Sequence, residues 1–324
     1  MRYPKKKLLF LLIFLIQHLS AKEISYRVES QKFQHKHAVF LKPSQKLTLK
    51  FDVKNTKSIR WYQIIPKTSK FYKNANHPWE KNPYKWIGFG KIEYKKVEIK
   101  PFADKSSVVL TQKILEANRP KDNPYYNAHI GSFWFEAEAT LKNGKTVKSS
   151  GLKNMTYRGL STKVLRVSYL EKRDYIGYLT SFFNVPGIFG AIPYQSKNYI
   201  GVDCADVLVA TSAVMHKKKL KEYNVAMLVA QLKHRADIKI TDGKPDKKLQ
   251  WGKDFKRGDF IAVKYRASGR YAHIGMLYND ENSNGVLDRE DVVLNAGPNA
   301  LHPTHLKQGA FNGWVAILRN RDIK

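Results

Sequence analysis

The stretch Gly201-Val202-Asp203-Cys204-Ala205-Asp206 leads directly into the apolar segment 207–215, and it organises the interpretation of the whole chain. Aspartate is among the residues preferred at a helix N-cap. Side chains that would share one helix face then recur at helical spacing, at Val207, Leu208, Thr211, Val214 and Met215. The stretch therefore predicts a helix over 205–217, with Asp203 as its cap and Cys204 in its first turn.

Cys204 is the only cysteine of the chain. A free thiol is a nucleophile as its thiolate, and a helix N-terminus together with an imidazolium lowers its pKa. The backbone N–H groups of the first turn are also suitable donors to an oxyanion. The alternative is a buried, inert cysteine, because free cysteines are among the most buried residues.

The N-terminus has the three parts of a signal peptide, so we expect residues 1–21 to be removed on export to the periplasm or the cell surface. Arg2 and the lysines 5–7 precede an apolar run over 8–16, and Leu19-Ser20-Ala21 precede the predicted cleavage site. Removing these four basic residues lowers the formal charge from +31 to +27. A field of this sign concentrates anions, and export argues against nucleic acid, so the expected partner is cell-wall peptidoglycan or another anionic envelope polymer.

The residues from 22 to 164 have the pattern of an all-β domain. Alternation of apolar and polar residues predicts strands over 47–53 and 133–139, and Asn143-Gly144 predicts a tight hairpin turn with two positive φ angles. We expect an immunoglobulin-like β-sandwich that contributes to envelope binding. Aromatic residues concentrated between 61 and 89 are expected to cover its core, the alternative being that they stack on sugar rings.

The residues from 165 to 324 predict an α+β domain with an antiparallel sheet. Helices are expected over 175–183, 205–217 and 225–234, followed by strands over 259–265, 273–278, 292–296 and 314–319. His273 begins one of these strands and is the candidate base for Cys204.

Four segments of this second half resemble NlpC-type cell-wall peptidases of the papain-like superfamily: Gly201-Val202-Asp203-Cys204, Arg257-Gly258-Asp259, His273-Ile274-Gly275-Met276 and Leu294-Asn295-Ala296. The resemblance covers about 184–319. It implies a papain-like fold in which Cys204 is the nucleophile, His273 the general base and Asn295 the residue that orients the imidazole. Asp291, Asn299 and His302 compete for the third role. Gly187 stands where the family has a tyrosine, and Tyr194 and Tyr199 are the two candidates to replace it.

A second motif lies between the two catalytic strands. Over 280–291 the oxygen donors, the glycine at position six and the aliphatic residue at position eight follow the spacing of a calcium loop. The predicted ligands are Asp280, Asn282, Asn284, Asp288, Asp291 and the backbone carbonyl of Val286. We expect a structural Ca²⁺ that fixes the hairpin; the alternative is an ordinary polar turn.

Together these features predict an exported cysteine peptidase or amidase that hydrolyses peptide stems of peptidoglycan without a catalytic cofactor. Two alternatives are a papain-like acyltransferase, and a non-catalytic, calcium-dependent envelope-binding protein.

Overall fold

The computed structural model describes residues 22–265 and 269–322. The protein is rich in β-sheet, with 35% of its residues in strands and 15% in helices, as the sequence predicts. The predicted signal peptide, residues 1–21, lies outside the described residues. Within the described ranges, none of the helices combines the length and the apolar character that a bilayer span requires.

The first part of the chain contains ten strands and one short α-helix among the described residues. In chain order they are β1 (Ser25–Val28), β2 (Ala38–Leu41), β3 (Leu47–Lys50), β4 (Thr56–Pro66), β5 (Tyr72–Lys73), β6 (Tyr94–Glu98), β7 (Ser107–Leu110), α1 (Gln112–Ala117), β8 (Gly131–Leu141), β9 (Thr146–Lys148) and β10 (Leu165–Tyr169).

The second part contains four α-helices and eight strands among the described residues. They are α2 (Tyr175–Thr180), β11 (Ile188–Phe189), α3 (Pro193–Lys197), α4 (Cys204–Met215), α5 (Val225–Gln231), β12 (His234–Thr241), β13 (Lys244–Pro245), β14 (Phe260–Lys264), β15 (Tyr271–Asn279), β16 (Val292–Asn295), β17 (His302–His305) and β18 (Gly313–Leu318).

Two sheets form a sandwich in the first part. One sheet has the order β1-β3-β7, and the other has the order β2-β10-β8-β4-β6 with β9 against β8. Alternation along β8 explains its position, because Phe133, Phe135 and Ala137 point into the core that the two sheets share. The strand β10 belongs to this sheet, so the first part extends to about residue 169 rather than to 164.

The hairpin between β8 and β9 turns at the predicted place but not with the predicted geometry. Gly144 has a φ of +81°, whereas Asn143 is not among the residues with positive φ. Asn143 instead accepts a hydrogen bond from the backbone N–H of Lys145 at 3.1 Å. The asparagine side chain thus organises the turn without a left-handed backbone.

The second part is built on one antiparallel sheet with the order β13-β12-β18-β14-β15-β16-β17. Helices α2, α4 and α5 cover one face, and a second apolar cluster covers the other. The sequence prediction missed β12 and β17 and extended α5 into β12. The core beneath the helices also includes Ile64, Trp134 and Leu160 of the first part, so the two parts share a continuous apolar core.

Candidate active site

His273 and Asn295 form a direct hydrogen bond between two adjacent strands. The distance from His273 Nε2 to Asn295 Oδ1 is 3.1 Å, and Asn295 Nδ2 donates to Thr304 Oγ1 at 2.8 Å. An amide oxygen can only accept, so Nε2 carries a proton and Nδ1 keeps the lone pair of the neutral imidazole. Thr304 therefore fixes the amide, and the amide fixes the tautomer that a base needs.

The register of the sheet makes this diagonal contact possible. Asn295 lies directly opposite Gly275, which is two residues beyond His273 on the same strand face. A Cβ at Gly275 would stand 3.0 Å from the Cβ of Asn295 and 2.6 Å from a methyl carbon of Val293. Glycine at 275 leaves the space through which the Asn295 side chain leans toward His273.

Cys204 begins α4, as predicted. The Asp203 side chain caps the helix by accepting the backbone N–H groups of Ala205 at 3.1 Å and Asp206 at 2.9 Å. The Cys204 thiol interacts with the backbone N–H of Ile274, the residue after His273. Helix α4 thus brings Cys204 to the residue that follows His273 in β15, and β15 and β16 bring His273 and Asn295 into contact.

The backbone N–H of Cys204 makes no hydrogen bond to any residue in the described part of the chain, because the cap uses the next two N–H groups. Gly297 lies beside it, and a Cβ there would stand 3.6 Å from the Cys204 nitrogen. The first turn therefore presents one backbone donor next to the sulfur.

Burial sets the protonation of the candidate pair. It raises the pKa of the Cys204 thiol, the carboxylates of Asp203 and Asp206 raise it further, and the Ile274 N–H only partly offsets them. Burial also lowers the pKa of His273 to about 4, against a smaller opposing effect of Asn295. At neutral pH the site holds a thiol and a neutral imidazole, not the thiolate that the helix N-terminus led us to expect.

The carboxyl groups of Asp203 and Asp206 lie next to each other and near the Cys204 sulfur, and each affects the pKa of the other. Burial raises the pKa of Asp203 to about 6, although backbone N–H groups and Asp206 itself lower it. The pKa of Asp206 is raised well above its ordinary value by burial and by the neighbouring Asp203. Asp206 therefore keeps its proton to a higher pH than an ordinary aspartate, because the neighbouring Asp203 and burial both oppose a charge there.

The first part of the chain reaches the site at two points. Tyr125 packs on His302 with ring centroids 4.7 Å apart, and His302 lies opposite Asn295 in the sheet. The parallel pairing of β5 with β11 brings a second segment of the first part against Phe189. The backbone N–H of the next residue, Gly190, lies near the Asp203 carboxyl group and lowers its pKa. No pattern in the sequence predicts either contact.

The aromatic residues of 61–89 divide into two groups, so the expectation that they cover the sandwich core is only partly right. Trp61, Tyr62 and Tyr72 are buried, but Phe71, Trp79, Tyr84 and Trp86 are exposed. Ring contacts form two groups on this surface. One joins His77, Trp79 and Tyr84 through Phe189, and the other joins Trp86, Phe89 and Tyr157; we call these seven residues together the aromatic surface. Phe189 of this surface directly precedes Gly190, the residue that lies near the Asp203 cap of α4.

Two of the competitors for the third catalytic position have partners other than His273. Asp291 accepts from Trp251 Nε1 at 3.0 Å, and His302 Nδ1 lies 2.7 Å from the carbonyl of Ala300.

The two tyrosines that were candidates to replace the family's tyrosine have other contacts. Tyr199 is buried and its hydroxyl pairs with that of Ser181, so it does not replace the family's tyrosine. Tyr194 packs under the guanidinium of Arg158. Tyr265 also lies near Cys204, although the sequence analysis did not identify it. Its pKa is raised to about 12, mainly by burial and to a smaller extent by a charge on Cys204.

The predicted calcium loop joins β15 and β16. Asp280 accepts the N–H groups of Asn284 and Gly285, and Asp288 Oδ2 accepts the side-chain amides of Asn282 at 2.9 Å and Asn284 at 2.6 Å. Val286 pairs with Gln250. Among the described residues, no group of three or more His, Cys, Asp or Glu side chains is arranged to hold a metal ion.

Asp291, at position twelve of the loop, is fully buried and its Oδ1 has no hydrogen-bond donor. Burial raises its pKa to about 6, despite the donors Asp288 N–H and Trp251. A buried carboxylate oxygen without a partner is costly, and a cation is one group that would satisfy it. The oxygen atoms of the loop are the type of ligand that Ca²⁺ prefers, and the unpartnered Asp291 Oδ1 is one that an ion would satisfy. The side-chain amides of Asn282 and Asn284, however, donate to Asp288 in this structure.

Comparison of the chain with protein-family models, with curated proteins and with solved structures gave no match.

We predict slow, strongly pH-dependent alkylation of Cys204. Because burial and Asp203 raise the thiol pKa, the rate with iodoacetamide should increase about tenfold per pH unit from about pH 6 to pH 9. Mass spectrometry gives the rate directly, since the chain has one cysteine. The protein unfolded in guanidinium is the control and should react with an ordinary thiol profile. A rate that is already constant near neutral pH would show instead a thiolate–imidazolium pair.

Proposed function

We propose that this protein is an exported, papain-like cysteine hydrolase that cleaves peptide stems of bacterial peptidoglycan. The observation that carries the proposal is the His273 Nε2 to Asn295 Oδ1 hydrogen bond of 3.1 Å, beside a cysteine in the first turn of a capped helix. A nucleophile, a base and a group that orients the base are the three parts of this chemistry. The two-domain, papain-like assignment of the fold belongs to the same proposal.

The reaction begins from the neutral pair. Cys204 sulfur attacks the carbonyl carbon of an amide while His273 Nδ1 accepts the thiol proton, so no free thiolate accumulates in the resting site. The Cys204 N–H is the backbone donor available to the oxyanion. The imidazolium then protonates the leaving amine as the C–N bond breaks, and His273 takes a proton from water, which cleaves the thioester. Asn295 accepts the Nε2–H throughout and keeps Nδ1 directed at the chemistry.

Two surface properties support an anionic wall polymer as the substrate. The chain carries 58 basic and 27 acidic residues, and this excess of positive charge attracts the free carboxylates of peptide stems. The aromatic surface lies next to the cap of α4 and exposes flat rings, Trp79 being 76% exposed. Exposed aromatics of this extent mark interaction sites on soluble proteins. We propose that they bind the glycan or peptide on the approach to Cys204.

One observation favours the second candidate, a non-catalytic envelope-binding protein. The raised pKa of Cys204 leaves a weaker nucleophile than a thiolate–imidazolium pair. The acyltransferase alternative shares the first half of the mechanism and differs in the acceptor, an amine in place of water.

Incubation with purified peptidoglycan should release new stem-peptide fragments, identified by mass spectrometry, and Cys204→Ala should release none. The fragments also identify the bond that is cut. Adding a free amine acceptor tests transfer, because an acyltransferase would give amide adducts in place of free carboxylates. Binding to the wall by a folded protein that releases no fragments from several wall types would favour the binding protein.

Asn295→Ala should reduce kcat/KM on the order of 100-fold, because the imidazole loses the partner that fixes its tautomer. Asn299→Ala is the matched control, since Asn299 lies in the next loop and competes for the same role in the sequence. Its activity should change little. Equal losses in the two variants would exclude a specific role for Asn295.

We also propose that the loop 280–291 binds a structural Ca²⁺ through the carboxylates of Asp280, Asp288 and Asp291, the amides of Asn282 and Asn284 and the Val286 carbonyl. Asp291 supplies the buried oxygen that lacks a donor. The ion would hold together the two strands that carry His273 and Asn295. It would have no role in the chemical steps.

Calcium should raise the Tm of the wild-type protein, because a ligand of the folded state stabilises it by about 2.7 kcal/mol at a hundred times its Kd. Asp288→Asn should abolish this increase. Glu281→Gln removes the same charge from the same loop outside the predicted ligand set and should keep it. A Tm that does not respond to calcium or to chelator in the wild type would remove the ion from the proposal.

A further inference from the structure

A cavity of about 70 Å³ lies between the first sandwich and the segment that precedes α4. Its polar lining comprises His37, Ser161, Thr162, Arg166, Lys197 and Asn198. The lining contains two full cations, a histidine, two hydroxyls and an amide, and it contains no carboxylate. None of these residues belongs to the candidate active site or to the calcium loop.

Arg166 is the cation at the floor of the cavity. Its guanidinium carbon lies 3.5 Å from the centroid of the Tyr199 ring and 5.1 Å from that of Phe40. Its Nη1 donates to Ser168 Oγ at 2.9 Å, and Ser168 in turn pairs with the hydroxyl of Ser132. Aromatic rings and neutral hydroxyls therefore hold the guanidinium in place.

No carboxylate in the described part of the chain lies within ion-pair distance of Arg166 or Lys197. Burial lowers the pKa of Arg166, and Tyr199 is the group that opposes this effect. Arg166 is partly buried, and a cation that loses part of its hydration without a counter-charge is destabilising, whereas Arg119, for example, is paired with Glu116. An arginine has five donors in a planar fork, which suits an oxyanion.

We propose that this cavity binds a phosphoryl group, with Arg166 and Lys197 supplying the charge and Ser161, Thr162 and Asn198 supplying neutral hydrogen bonds. Two cations match a dianion better than a singly charged carboxylate. The cavity volume suits one tetrahedral group, and polar partners from several segments match its oxygens around the phosphorus. The group belongs to a free phosphate or to the end of a larger phosphate ester. This site is independent of the proposed hydrolase activity.

Isothermal titration of the full protein with inorganic phosphate, at constant ionic strength, tests the site. The wild type should bind phosphate, and Lys197→Gln should weaken binding about tenfold through loss of one charge-assisted contact. Lys163→Gln is the matched control, because Lys163 is exposed, carries the same charge and does not line the cavity. It should leave the affinity unchanged. Arg166→Gln should abolish phosphate binding if the variant folds. The comparison of Lys197→Gln with Lys163→Gln tests the site even if the Arg166 variant does not fold.

Equal weakening in Lys197→Gln and Lys163→Gln would overturn the proposal, because it would show general attraction to a basic protein. Acetate that binds as tightly as phosphate would also overturn it in favour of a carboxylate site. Titration with glycerol phosphate distinguishes the sources. Binding at least as tight as phosphate identifies an esterified ligand, and exclusion of the ester identifies free phosphate; both results support a phosphoryl site.

Discussion

The pairing of Gly275 with Asn295 is the constraint on which the candidate site depends. A side chain at 275 would occupy the space that Asn295 uses to reach His273, so the register of two central strands and the identity of one residue decide the geometry together. Strands β14 and β17 flank this pair, and β17 supplies Thr304, which orients the amide. The site is thus a property of the sheet, not of a mobile loop.

Burial is the second determinant, and it acts against charge on both members of the pair. The same close packing that fixes His273 and Cys204 removes water, and the Asp203 carboxyl group adds negative charge beside the sulfur. Such a site gains rigidity and a defined tautomer, while its nucleophile must lose its proton during the attack. A substrate that excludes the remaining water would strengthen each hydrogen bond at the same moment.

Local features could be predicted from the sequence, and contacts between distant segments could not. The cap at Asp203 and strands β8, β14, β15 and β16 follow from short-range patterns. The strand β17 was missed because it contains Pro303 and few apolar residues, which its position at the sheet edge tolerates. Tyr125 against His302 joins residues far apart in the chain. The protonation of Cys204 was mispredicted because the helix N-terminus was visible in the sequence, whereas the burial of Asp203 and Asp206 was not.

The shared apolar core has a consequence for how such a protein can change over evolutionary time. Ile64 and Trp134 of the sandwich pack in the same cluster as Val207 and Leu208 of α4, and β10 passes into the second part through a short segment that begins with the fully buried Leu170. The two halves are therefore not interchangeable modules. A different sandwich could replace this one only if it carried the same apolar patch, so substitutions on one side of the junction should be matched by substitutions on the other.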